Sequence, residues 1–256
     1  MTAPPHDDLT RTSFRRQVGL FSGPTSPFAL RARSTRTWLE PLDDTMVVLD
    51  VACGAGHAAD QVAPHVRQVV GIDLTPELLA LGARRMEDAG LTNVLFQEGD
   101  AASLPFVDAS FDLVYCRTAV HHFTDPEIVV AEMARVTRPG GRVAVADLVV
   151  LDADARGTYD ALHRRIDPSH VRVLLEAELA DLVERGVGPL ADAQTGDPLV
   201  LPVDLILTEQ SDDEAVLTAL QAELAGGPAT GFAPSLDDEG RVLVSFTNTV
   251  VQAIRP

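Results

Sequence analysis

The chain is 256 residues long, with 46% hydrophobic and 23% charged side chains, which suits one large α/β domain or one domain with a small cap. Its net charge of −18 sets most of the surface against phosphate, so nucleic acid is not an expected partner. All 20 basic residues are arginine, which excludes lysine-dependent phosphate loops and Schiff-base chemistry.

The N-terminal MTAPPHDDLTRTSFRR is polar and lacks the apolar core of a signal peptide. No apolar run approaches the roughly 20 residues of a membrane span. The expectation is a cytoplasmic protein with no membrane partner. Cys53 and Cys116 are too few for a disulfide framework and are expected to stay reduced. Six arginines (11, 15, 16, 31, 33 and 36) oppose Asp7 and Asp8 near the N-terminus, which predicts a basic arm lying on an acidic body. Phe14, Phe21 and Phe28 recur every seven residues there, as on a helix face packed against the body.

Met46–Val51 (MVVLDV) is the first apolar, β-branched run and predicts a buried strand. Gly54 and Gly56 follow, then a helical stretch to Pro64. Val66–Ile72 predicts a second strand ending at Asp73. Thr75-Pro76-Glu77 opens a helix that runs to Gly90. Val94–Gln97 leads to Gly99-Asp100, Phe111–Cys116 is a fourth strand, a helix runs from Pro126 to Arg138, and Val143–Leu148 is a fifth strand. Beyond it, 155–166, 174–185 and 213–224 read as helices, with strands at 199–203 and 241–253. Strands alternating with helices predict a parallel sheet covered on both faces. Its ligands bind beyond the strands' carboxyl ends, where the acidic and glycine-rich positions of this chain fall.

Gly54-Ala-Gly56 between strand and helix allows close approach of backbone to a ligand. With Ala59 it also fits the dinucleotide pattern G-x-G-x-x-G/A. Asp50 stands just before these glycines, where a carboxylate can meet an ammonium group, and Asp73 is placed for ribose hydroxyls. A carboxylate at Asp100 can accept from an adenine amine or simply cap its own loop.

The segments VLDVACGAGHAA, VVGIDLTPELLALGARR, VLFQEGDAASLPFVDASFDLVYCRTAVHHF and EMARVTRPGGRVAVADL fill most of residues 47–148. Together they resemble the class I S-adenosylmethionine-dependent methyltransferases, in the branch that includes ubiquinone and menaquinone C-methyltransferases. The resemblance implies a Rossmann-like, doubly wound, mostly parallel sheet of seven strands with the last antiparallel, and helices on both faces. It implies an N-terminal helical lid over 1–44 and a methyltransferase domain over 45–256. That domain divides into a cofactor half (45–150) and an acceptor-side half (151–256).

The implied cofactor is S-adenosylmethionine, leaving as S-adenosylhomocysteine. The resemblance puts Asp50, Ala52, Cys53, Gly54, Gly56, Asp73, Leu74, Gly99, Asp100, Ala101, Arg117 and His122 around it, with Asp50 and Arg117 at the methionine end. Ala52 departs from the family's usual first glycine by one methyl group. No Asn-Pro-Pro-Tyr or Asp-Pro-Pro-Tyr motif follows the fourth strand, which argues against methylation of base or amide nitrogen.

His121 and His122 at the sheet's catalytic edge are candidate bases for the acceptor's proton, although alignment alone can drive such a displacement. Phe21, His170 and Arg172 are the candidate acceptor-pocket residues. Asp167 and Arg172 read as an ion pair or a helix-start feature. The histidines have no metal-ligand spacing, so no metal is expected. The leading function is methyl transfer to oxygen, carbon or nitrogen of a small molecule by a monomer or homodimer. Alternatives are a cofactor-retaining enzyme of the same fold with other chemistry, such as a cyclisation, and a nicotinamide-dependent oxidoreductase.

Overall fold

The computed structural model describes residues 6–21, 26–32 and 34–256, with the side chains of Pro27, Phe28 and Arg31 outside the description. The first five strands are β1 (Val47–Val51), β2 (Gln68–Asp73), β3 (Val94–Glu98), β4 (Phe111–Arg117) and β5 (Thr137–Val149). The later ones are β6 (Leu190–Thr195), β7 (Leu199–Pro202), β8 (Ser235–Leu236) and β9 (Val242–Ile254). The sheet order is β3-β2-β1-β4-β5-β9-β6, with β7 and β8 also pairing with β9. Strands β1 to β5 run parallel, and β9 runs antiparallel to β5 and β6.

This is the expected seven-stranded sheet with one reversed strand. The two extra strands arise because β9 is 13 residues long. Its second half (247–254) pairs with β5, while 242–246 runs on to meet β7 and β8. Sequence reading did not mark β6 (LADAQT), because its inward and outward positions lack apolar alternation.

The helices are α1 (His6–Gln17), α2 (Pro27–Ala32), α3 (Thr35–Leu39), α4 (Ala59–Val62), α5 (Pro76–Asp88), α6 (Pro126–Val136), α7 (Arg156–Ile166), α8 (Glu176–Val187) and α9 (Asp213–Leu224). Pro76 and Pro126 stand in the first turns of α5 and α6, where a missing N–H costs nothing. The Asp125 side chain caps α6 by accepting from the Ile128 amide. The helix expected between Gly56 and Pro64 shrinks to four residues and a 3-10 turn, because positive φ at Gly54 and Gly56 holds the preceding segment in turns.

The main core lies between the sheet and α6 and α8, with Leu49, Val114, Met133, Val145, Leu179 and Val251 at its centre. A second core around Tyr159, Phe232 and Phe246 ties α7 and α9 to the far end of the sheet. The arm lies on acidic residues, as its charge predicts: Arg11 pairs with Glu98 and Arg15 with Glu77. The seven-residue phenylalanine spacing does not mark one helix face, because α1 stops at Gln17 and Phe21 ends a separate 3-10 turn. Phe28's side chain lies outside the described residues.

Gly56 is required by packing as well as by backbone angle. Its φ is +69°, and a Cβ there would stand 2.7 Å from the Phe96 ring. Gly56→Ala is expected to destabilise the chain by about 2–4 kcal/mol from left-handed strain and overpacking. Chemical denaturation checks this, and a loss below about 0.5 kcal/mol would contradict it.

Candidate cofactor cleft and histidine chamber

Strand order reverses at β1, which has β2 on one side and β4 on the other. A cavity of about 280 Å³ opens at the carboxyl ends of these strands. Its wall takes Ala52–Gly54 after β1, Asp73–Thr75 after β2, Gly99–Ala102 after β3 and Arg117–Ala119 after β4. His6, Asp7, Thr10 and Phe14 from α1, together with Phe21, form part of the rest of the wall, and His122 and Phe123 with the start of α6 form another part. Of the residues the resemblance placed at the cofactor, Ala52, Cys53, Gly54, Asp73, Leu74, Gly99, Asp100, Ala101, Arg117 and His122 all line this cavity.

Asp73 holds the floor. Its Oδ2 accepts from the Gly54 amide at 2.8 Å and its Oδ1 from the Thr75 amide at 2.8 Å. Burial raises its pKa against these bonds. Asp100 does cap its own loop, its Oδ1 accepting from the Ala102 amide at 2.8 Å, while the residue still lines the cavity. Ala52 adopts φ +54°, a left-handed conformation that glycine reaches without strain. The added methyl therefore costs backbone energy as well as space.

Asp50 and Gly56 are placed differently from the expectation. Gly56 turns to Phe96 and is absent from the wall, because the close approach it permits is to a core ring. Asp50 is only 1% exposed and sits behind the wall. Burial pushes its carboxyl up to about 7, opposed by the nearby Tyr115 hydroxyl and the Arg117 charge. Among the described residues its Oδ2 has no hydrogen-bond partner, and neither do Nε and Nη1 of Arg117. Burial lowers the Arg117 pKa, and Asp50 opposes that shift. An unpartnered buried acceptor and two unpartnered donors at the ends of adjacent strands fit a zwitterion, whose ammonium and carboxylate would satisfy both.

A smaller chamber of about 90 Å³ lies alongside and shares Phe14, Thr118 and His122 with the cleft. His121, His163, Gln17, Leu20, Leu148 and Phe246 complete much of its lining. His122 Nδ1 lies 3.2 Å from the Ser169 carbonyl oxygen and 3.1 Å from Ser169 Oγ. Ser169 Oγ itself donates to Asp167 Oδ1 at 2.6 Å, so His122 carries its proton on Nδ1 and keeps Nε2 as an acceptor. Burial lowers the His122 pKa, favouring the neutral ring. Burial would raise Asp167, but positive charge on His122 when its ring is protonated, and the hydrogen bonds from Ser169, Gln17 and Ser13, bring it well below the usual carboxylate range. The Phe14 ring meets His122 edge-on at 5.0 Å between centroids.

The three residues expected at the acceptor pocket, Arg172, His170 and Phe21, all stand outside the lining of the small chamber. Arg172 is solvent-facing and pairs with Glu178 at 2.9 Å, in the helix-start role. Its intended partner Asp167 instead binds Ser13 and Gln17 of α1, at 2.7 and 2.9 Å. His170 is buried behind the chamber wall, its Nε2 held 2.7 Å from Asp160 Oδ1. Phe21 packs over Gly54 in the cofactor cleft rather than in the chamber. Both cysteines are free thiols, pushed well above the ordinary range by burial.

Sequence reading missed Asp147, which accepts from the His121 ring and amide at 2.7 and 2.9 Å. The signal was present: Asp147 interrupts the apolar run Val143–Leu148, and a buried charge in a strand needs a partner. It also missed His57, whose Nε2 donates to the Phe21 carbonyl at 2.9 Å and whose pKa burial lowers to about 4.

A doubly wound sheet with a cleft at its switch point, acidic residues at the ends of β2 and β3 and a cation after β4 defines a nucleotide-cofactor enzyme of Rossmann-like architecture. Residues 49–145 match the family model described as methyltransferase domain. The chain is 41% identical over 126 residues to the uncharacterized methyltransferase YcgJ of Bacillus subtilis, covering 49% of this chain and 50% of that one. The solved YcgJ structure superposes with a TM-score of 0.73 at 28% identity, covering 89% of this chain and 97% of that one. Demethylmenaquinone methyltransferase of Deinococcus radiodurans is 42% identical over 120 residues, or 46% of this chain and 48% of that one. The uncharacterized protein YafE of Escherichia coli is 31% identical over 163 residues, or 62% of this chain and 77% of that one.

The chain belongs to the class I S-adenosylmethionine-dependent methyltransferases. Its match spans about half the length of the curated relatives YcgJ and demethylmenaquinone methyltransferase. Among the described residues, no helix is long and apolar enough to cross a membrane.

Proposed function

We propose that the protein transfers a methyl group from S-adenosylmethionine to an oxygen, carbon or nitrogen atom of a small, largely apolar molecule. The observation that carries this reading is the pair of adjoining cavities. The larger suits a nucleotide cofactor, and the smaller, mostly apolar one meets it at Phe14, Thr118 and His122. A demethylmenaquinone methyltransferase among the relatives supports a small-molecule acceptor.

S-adenosylmethionine would supply an electrophilic methyl group on a sulfonium sulfur. Asp73 would hold the ribose hydroxyls, Leu74, Asp100 and Ala101 the adenine, and Arg117 with Asp50 the methionine end. The protein's net charge of −18 favours approach of a cationic cofactor. Helix α1 would act as the lid: it presents Thr10 and Phe14 to the cleft and is latched by Ser13 and Gln17 on Asp167. Closure there excludes water and fixes the line of attack. His122 Nε2 is the acceptor placed to take a proton released from the nucleophile, with Asp167 and Ser169 orienting its ring.

Incubation with methyl-labelled S-adenosylmethionine and a panel of quinols and phenols should give labelled product and S-adenosylhomocysteine. His122→Ala should cut turnover by about 10²–10⁴-fold while leaving cofactor affinity near the native value. Tight NAD binding without S-adenosylmethionine binding in calorimetry would overturn the reading. A large loss of cofactor affinity in His122→Ala would move that residue from the acceptor to the cofactor.

A further inference from the structure

His121 stands well before His163 and His170 in the sequence, and nothing in the methyl-transfer reading requires the three to meet. His121 sits in the turn after β4, His163 in α7 and His170 in the loop beyond α7. The fold brings all three together, buried, with one ligating atom of each within 4.8 Å of the others. The rings of His163 and His170 stack at 4.2 Å, and His121 lies 5.6 Å from each. We propose that these three imidazoles bind a divalent first-row transition-metal ion, zinc foremost. This replaces the expectation of no metal, which rested on sequence spacing alone.

The surroundings are those of a metal site. His121 Nδ1 donates to Asp147 Oδ1 at 2.7 Å, and Asp147 is anchored in turn by the His121 and Leu148 amides. His170 Nε2 donates to Asp160 Oδ1 at 2.7 Å, and Asp160 also accepts from the Val173 amide. The Asp160 pair fixes the tautomer of His170 and leaves its Nδ1 as the ligating nitrogen, while the Asp147 pair holds the His121 ring in place. Nδ1 of His163 and Nδ1 of His170 are buried without a hydrogen-bond partner among the described residues. Such groups are rare in folded proteins and call for a ligand.

Three imidazoles as the candidate ligands select zinc, copper, iron or nickel over magnesium and calcium, with Asp147 and Asp160 each one hydrogen bond behind a ring. Ligating nitrogens on zinc stand about 3.3 Å apart, so atoms within 4.8 Å of one another need draw in by at most about 1.5 Å, with the stacked His163 and His170 rings turning so that their in-plane lone pairs converge. Three protein ligands leave a fourth position open. His121 and His163 line the small chamber, so that position faces the space assigned to the acceptor. An oxygen-bearing acceptor or a water molecule is its fitting occupant. Ion binding does not depend on methyl transfer, so either claim can fail without the other.

The test uses the full chain, stripped with chelator, and Co²⁺ or Zn²⁺ alone as probe. Wild type should take up one equivalent of Co²⁺ with the intense visible absorption of a low-coordinate site, and Zn²⁺ should displace it. X-ray absorption of the zinc-loaded wild type should show imidazole scatterers. His163→Asn should weaken metal binding by more than about 100-fold, and Asp160→Asn by about 10–100-fold, with S-adenosylmethionine affinity retained as proof of folding. No saturable uptake by wild type, a zinc shell without imidazole, or native metal affinity in folded His163→Asn would each overturn the proposal.

Discussion

Asp50→Asn is expected to stabilise the unliganded protein at pH 8 and to weaken S-adenosylmethionine binding at least tenfold. The physical reason is one buried carboxyl whose pKa stands at about 7 instead of the ordinary 3.8. Burial is the chief cause, and it penalises the ionised form. Between these two values the folded chain holds a proton that the unfolded chain has lost. Stability from this group is therefore complete below about pH 4, falls as pH rises, and levels off above about pH 7. The full difference is about 4 kcal/mol.

An arriving ammonium group reverses the preference, because a nearby positive charge favours the carboxylate. Cofactor affinity should therefore rise about tenfold from pH 6 to pH 8, and in Asp50→Asn that dependence should flatten. Calorimetry at several pH values, with thermal melts of the unliganded chain, checks all three effects. Equal affinities for wild type and variant at pH 8 would remove Asp50 from the methionine end.

Asp73→Ala should cost cofactor binding about 1.5–3 kcal/mol for the lost charge-assisted ribose contact, a drop of about 10–150-fold. The structure adds a second loss. Asp73 also receives the amides of Gly54 and Thr75, so the variant leaves two N–H groups in the cleft floor without their acceptor. That should lower the stability of the unliganded chain by about 1–3 kcal/mol. Calorimetry and denaturant titration separate the two effects. Unchanged affinity with reduced stability would make Asp73 a loop-holding residue only.

The cofactor half was legible because its signals are local. VVLD, VVGID and FDLVYC are apolar runs that can only be buried strands, and each ends in residues that cannot be buried cheaply without a task. Strand ends are also cleft walls in a doubly wound sheet, so sequence position became spatial position with little loss. That is why Asp73, Asp100 and Arg117 could be placed in advance. Gly56 looked the same as Gly54 in sequence, yet one faces the cleft and the other a phenylalanine ring. That choice depends on the rotation of the turn, which the pattern does not encode.

In residues 151–256 the elements α7, α8, α9, β7 and β9 were legible but their side-chain partners were not, because those contacts span the chain. Asp167 meets Ser13 and Gln17 across some 150 residues, and His121 meets Asp147 from the neighbouring strand. Hydrogen bonds of this kind leave no period and no spacing. By itself the sequence determined strands β1 to β5 and their acidic ends, since these follow from hydrophobic burial and backbone reach, while the cofactor was implied by the family resemblance. Only the tertiary structure decided that His121, His163 and His170 share one buried space, that His170 and Arg172 do not line the acceptor chamber, and that Asp50 lies behind the wall. Those outcomes are set by how separate elements pack, where desolvation fixes which charges must find partners.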